Sequence, residues 1–165
     1  TPMTDDMMSM QIKVSRIMVV AGTPFIMPIW ILMIAGICWC LFSAVMGTEL
    51  RFRHHLAIIS HAYLIAAAGT ILLVTMMLAR GDVRSTLSLA ALAPISVPMT
   101  SPVYLVLHAF DFFTLWWMTV AGVMVARAGR LPTWKPVVSL LGIYFTFAAI
   151  GIAFTLAMGK LAIKA

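Results

Sequence analysis

The stretch LAIISHAYLIAAAGTILLVTMMLA, residues 56–79, carries 24 residues without a formal charge and stops at Arg80. About 20 apolar residues are enough for a helix to cross the hydrocarbon core of a bilayer. Three further stretches have the same character: residues 24–47, 103–126 and 137–159, with Asp111 as the one formal charge inside any of them. Backbone in lipid must satisfy its own hydrogen bonds, so these stretches predict helices. The expected fold is all-α: a polytopic transmembrane helix bundle of four spanning helices, preceded by an N-terminal amphipathic helix.

Composition points the same way. Hydrophobic residues make up 63% of the chain and charged residues 10%, and the mean hydropathy is +1.07. These values lie outside the soluble globular range. The connections are too short for a sizeable soluble domain, so residues 1–165 form one membrane domain. The net charge of +6 does not imply nucleic acid, because the 11 Lys and Arg residues flank the apolar stretches, where basic side chains meet lipid headgroups. Cys38 and Cys40 are the only cysteines. Two residues apart on a helix they point about 200° from each other, so they neither pair nor share a metal. The chain begins without a basic n-region and short apolar core, so no signal peptide is expected in it as numbered.

Residues 4–20 (TDDMMSMQIKVSRIMVV) read as a short amphipathic helix, with Thr4 as cap and Asp5 and Asp6 in the first turn. Met7, Met8, Ile12 and Met18 form its apolar side, which suits either an interfacial helix or a docking surface for a partner. Gly22, Thr23 and Pro24 separate it from the first span. The link at residues 48–55 is so short that the first two spans must be antiparallel neighbours. The connection at 80–102 carries prolines at 94, 98 and 102, which disfavour a straight spanning helix. A short amphipathic helix over 86–93 with an extended return is expected there, and a re-entrant segment or fifth span is the alternative. Small residues at Ala62/Ala66, Gly122/Ala126 and Gly151/Thr155/Gly159 would let helices approach closely.

Two strings carry a resemblance. Phe52-Arg53-His54-His55-Leu56-Ala57, followed by His61-Ala62, resembles the phenylalanine-arginine-glutamine opening of a helix in bacterial Yip-domain proteins. Asp111-Phe112-Phe113-Thr114-Leu115-Trp116, followed by Gly122 and a basic turn, is similar to that family's aspartate-phenylalanine-x-x-tryptophan segment. The likeness extends over most of residues 4–155. His54 stands where the family usually has glutamine, and the second helix has no proline where relatives often place one. Five spans are usual in the family, so the resemblance implies a first span before Thr1. The resemblance does not extend to the cytosolic region with which eukaryotic relatives meet Rab GTPases, so Rab-type GTPase binding is not expected. It implies a non-enzymatic protein working through other membrane proteins, some bacterial members resembling accessory subunits of ABC-type exporters, and it places Arg53, His54, Asp111 and Trp116 in the family-defining contacts, with Phe52, His61 and His108 as further interaction or structural-polar candidates.

Counting basic residues leaves orientation open. Arg51, Arg53, Arg127, Arg130 and Lys135 lie on one side; Lys13, Arg16, Arg80, Arg84, Lys160 and Lys164 lie on the other. The resemblance implies that the short basic loops 48–55 and 127–136 face the cytoplasm of a bacterial inner membrane.

Asp111 is the residue that most needs an account. It would lie about 12 Å along a helix starting at residue 103, and carboxylates at such depth are costly. On a continuous helix His108 and Thr114 share its face, a trio suited to relaying protons or binding a cation. The competing reading makes Asp111 the cap of a helix beginning at Phe112 after a break. His54 and His61 lie seven apart on one face, with His55 beside them. A wet interfacial cluster is the plainer reading of the three, and a metal site is the sharper one. His61 and His108 fall at different depths, so a shared haem is not expected. Trp116 and Trp117 point to different faces, which sends one of them to lipid or to another subunit.

No nucleophile elbow, P-loop, zincin pair or dinucleotide fingerprint occurs. The expected protein is non-enzymatic, with no cofactor and no metal, an accessory or scaffold subunit whose partners are membrane lipids and other integral membrane proteins in a larger complex. A small transporter using Asp111 and His108 is one alternative. A pigment- or lipid-holding subunit of an energy-converting complex is another.

Overall fold

The computed structural model describes residues 25–81, 85–94 and 96–164, the last five of these by backbone alone. The amphipathic helix expected over 4–20 lies outside the described residues. Helix α1 spans Phe25–Val45, and its last turn, Cys40–Val45, is wound as a π-helix. Gly47 ends it in the left-handed region, at φ 71°, while the Thr48 N–H reaches back to the Phe42 carbonyl at 3.0 Å. The Ser43 hydroxyl closes the corner by donating to the Leu50 carbonyl at 2.7 Å. A link as short as 48–55 thus suffices to reverse the chain.

Helix α2 covers Phe52–Arg80 and stops at Gly81, whose φ of 62° suits a residue without a Cβ. The amphipathic helix expected over 86–93 is reduced to a single 3-10 turn, Leu89–Leu92, capped by the Ser88 hydroxyl. Helix α3, Pro102–His108, has Pro102 in its first turn and Ser101 as its cap. Helix α4 covers Phe112–Ala128 and α5 Trp134–Lys164. Among the described residues there is no strand.

Three helices are long and apolar enough to cross a membrane: Phe25–Val45, Phe52–Arg80 and Trp134–Gly159. On length and composition they make this a membrane protein. The stretch 103–126, expected as one span, is instead divided between α3 and α4, and α4 alone has 17 residues. The reason is local: backbone groups at 109–112 find partners outside the helix, and Asp111 caps the new helix that starts at Phe112.

Helix α4 is the centre of the bundle. Its Trp117, Ala121 and Val125 pack with Ala35, Cys38 and Phe42 of α1 and with Ile58, Ile59 and Ala62 of α2. The spacing 35, 38, 42 is the stripe a helix shows to a single neighbouring surface. The next face of α4 meets α5 at Gly122, where a Cβ would come within 2.8 Å of the Val137 Cα. Only glycine permits that approach, so the pair Gly122/Ala126 sits in a contact as its spacing predicted. Gly151 and Gly159 are different, with nothing within 4 Å of an added Cβ.

The two short loops are neighbours. A Cβ on Gly129 would lie 2.9 Å from Thr48 Cγ2, so the basic residues of 48–55 and 127–136 collect at one end of the bundle.

Candidate functional site

An interrupted helix leaves orphan backbone groups, and burying them unpaired costs about 1–3 kcal/mol each. Here four of them find partners beyond the regular helix ladder. The Ala109 carbonyl accepts from the Tyr144 hydroxyl of α5 at 2.7 Å. The Phe110 carbonyl accepts from the Leu89 N–H, and the Phe112 N–H donates to the Leu87 carbonyl, both at 3.2 Å. These two bonds flank a short antiparallel bridge between Ser88 and Asp111. The connection 85–94 therefore returns to the bundle as a strap that pairs with the break. Last, the Asp111 carboxylate accepts from the Thr114 N–H at 2.7 Å, the usual work of an aspartate N-cap.

Because α4 begins at Phe112, it stops where its neighbours continue. Phe113 packs on Gly69 of α2, where a Cβ would come 2.5 Å from the ring. Beyond that level α2 runs on for about 16 Å and α5, from Tyr144, for about 30 Å. A cavity of about 700 Å³ opens at this step, walled by α1, α2, α4 and α5 and touched by Leu87 of the strap. Its volume falls within the range of small-molecule sites. The walls are mostly aliphatic and aromatic, and the polar groups among them are few: Asp111, Thr70, Thr114, Tyr63 and Tyr144. Among the described residues no lysine, arginine or histidine lines it.

The hydroxyl protons of the wall are largely committed. Thr70 donates to its own helix at the Ala66 carbonyl, 3.0 Å away. Tyr144 is held by Ala109, and Tyr63 points its hydroxyl at the Met27 sulfur, 3.9 Å away. Their oxygens remain as acceptors. Asp111 uses one bond of its carboxylate on Thr114, and a carboxylate has room for several more.

The residues singled out from sequence do not form one site. Phe52, Arg53 and His54 stand exposed at the start of α2, about 25 Å along the helix from Gly69. His54 closes the helix start, its Nδ1 accepting from the Arg51 N–H at 3.1 Å. His61 is exposed, with Nδ1 2.7 Å from the Ala57 carbonyl of its own helix. Trp116 is exposed and stacks on Phe112 and Phe113, while Trp117 is buried edge-on against Tyr63, their ring centroids 5.5 Å apart. His108 is exposed at the end of α3 beside Tyr104. The trio of His108, Asp111 and Thr114 needed a continuous helix; the break removes the shared face, and only Asp111 and Thr114 meet. Among the described residues no three His, Cys, Asp or Glu side chains gather as metal ligands.

Three residues escaped the sequence reading: His55, Tyr144 and Gly69. His55, expected in a wet cluster, is fully buried beside Phe42, and neither ring nitrogen has a partner among the described residues. Position alone could not show this, since His54 and His55 differ only in which side of α2 they occupy. Tyr144 and Gly69 were equally silent, although a lone tyrosine inside an apolar span is a signal of a buried polar contact.

Compared with protein-family models, with curated proteins and with solved structures, the chain matches none.

Proposed function

We propose that this chain is a non-enzymatic integral membrane protein that holds one apolar-bodied molecule, drawn from the membrane, in the cavity beside the first two turns of α4. The observation that carries the reading is the step itself: a central helix cut short at Asp111, with a cavity of about 700 Å³ walled by four helices. Apolar walls of this extent take up hydrocarbon chains or rings, and a few polar groups fix orientation. In this reading α3 and α4 together make the fourth crossing. Non-helical backbone at membrane depth is tolerated where protein buries it or it lines a cavity, and the strap at 85–94 supplies that cover. On the Yip-domain resemblance alone, loops 48–55 and 127–136 face the cytoplasm, since the count of basic residues leaves orientation open.

Extraction of the purified protein after detergent exchange, followed by mass spectrometry of lipids, tests this. A retained molecule in fixed ratio is expected, together with its loss in Ala66→Phe, which fills the wall. A protein that retains nothing, from several detergents, would overturn the reading.

The outer half of α5 favours a second role as an accessory subunit. Phe147, Ile150 and Phe154 are each at least 60% exposed, and Gly151 faces open space. A partner helix from another membrane protein would cover them. Mild-detergent pull-down from native membranes should then recover a defined partner in fixed ratio. The transport reading built on Asp111 with His108 draws no support from their separation.

A further inference from the structure

We infer that the occupant of the cavity is a cationic amphiphile, an apolar chain or ring system ending in a protonated amine, with Asp111 as its counter-ion. This rests on the cavity reading and names the chemistry of what the cavity holds.

Donors and acceptors on the wall are out of balance. Among the described residues Asp111 brings the only carboxylate to it, and no lysine, arginine or histidine accompanies that group. Asp111 is half-buried and draws some stabilisation from the positive end of α4, and a carboxylate beside apolar walls gains more from a cationic partner. The chain supplies a single bond from the Thr114 N–H, which leaves acceptor capacity on the carboxylate. The hydroxyls nearby add acceptors: Thr70 and Tyr144 have given their protons to the Ala66 and Ala109 carbonyls. The Thr114 and Tyr63 hydroxyls and the indoles of Trp30 and Trp117 keep a strong donor to offer, Tyr63 meeting only a weak sulfur acceptor, but none of the four carries a positive charge. A phosphate or carboxylate head would meet the Asp111 charge and find no cation. A neutral hydroxyl head satisfies one acceptor and leaves the charge. An ammonium brings three donors and the missing charge to the same point.

The site also holds Asp111 in place by means that do not use its charge. Asparagine caps a helix as well as aspartate does, so the charge is surplus to the cap. The bond from Tyr144 and the strap bonds at Leu87 and Leu89 fix the backbone on either side. Asp111→Asn therefore separates charge from fold.

The test uses the full chain in nanodiscs of zwitterionic lipid. A bromine-tagged dodecylamine quenches the emission of Trp30 and Trp117, and untagged amphiphiles compete. Dodecylamine is expected to displace the probe, with dodecanol at least about tenfold weaker and dodecanoic acid without effect, the size of a charge-assisted bond. Asp111→Asn should erase the preference for the amine while Ala66→Phe removes the saturable part of the quenching, leaving only that of the exposed tryptophans. If Asp111→Asn fails to fold, Asp111→Ser retains a capping oxygen and serves instead. Equal competition by dodecanol, or an amine preference that survives Asp111→Asn, would overturn the cationic assignment while leaving the cavity reading standing. Bromine-tagged dodecanol and dodecanoic acid are then run as probes in their own right, and absence of saturable quenching by all three head types would remove the cavity reading itself.

Discussion

The two ends of this bundle solve opposite problems with the same helices. At the basic end, α1, α2, α4 and α5 close on one another around Phe42, Ile59, Ala121 and Val125, all essentially inaccessible, and glycine at 122 lets α4 and α5 touch backbone to backbone. Towards the other end the first two turns of α4 and the same neighbours line a partly open cavity rather than a core. What differs is not hydrophobicity, which is high throughout, but where backbone hydrogen bonds are satisfied. Within α4 they are internal. At 109–112 they are handed to Tyr144, Leu87 and Leu89, and the cavity lies against this break and the first two turns of α4.

The largest effect is expected from breaking the close-packed end. Gly122→Val drives branched carbons into the Val137 backbone, an overpacking that costs about 2–3 kcal/mol; thermal unfolding in detergent should show it plainly. An unchanged midpoint would mean that α4 and α5 do not touch as described. Next comes the cap. Asp111→Ala should destabilise by about 1 kcal/mol, whereas Asp111→Asn should not, and parallel melts of the two would show whether the interrupted end depends on the oxygen or on the charge. Removing the Tyr144 hydroxyl in Tyr144→Phe leaves the Ala109 carbonyl unpaired, a loss of about 0.6 kcal/mol or a little more on the scale of interhelical bonds in membranes. Faster hydrogen exchange at 109–112 is the sharper readout. Gly151→Ala should change least: with open space around it, helix propensity alone predicts a gain below about 1 kcal/mol. Should the same substitution weaken recovery of a partner in a pull-down, the exposed face of α5 is an interface.

Much of the close-packed end was legible beforehand. The uncharged run 56–79 and its companions require helices, the short link at 48–55 requires antiparallel neighbours, and Gly122 marks an approach that the structure contains, while Ala62 is buried in the core and Ala66 lines the cavity. The interrupted end was legible only as a choice. An aspartate at position 111 is compatible with a relay on a continuous helix and with a cap after a break, and nothing local separates the two. Similarly, His54 and His55 are adjacent, yet one faces outward at the helix start and the other is buried.

Sequence by itself determined the helical class, the apolar spans and the crowding of basic residues at their ends, because lipid leaves a backbone few alternatives and charge few places. Tertiary structure alone decided that the third apolar stretch divides at Ala109–Asp111, that a strap from 85–94 pairs with the division, and that a cavity opens beside it. Those outcomes depend on partners far away in the chain. Tyr144 lies 35 residues from the carbonyl it caps, and no local pattern encodes a hydrogen bond across that distance.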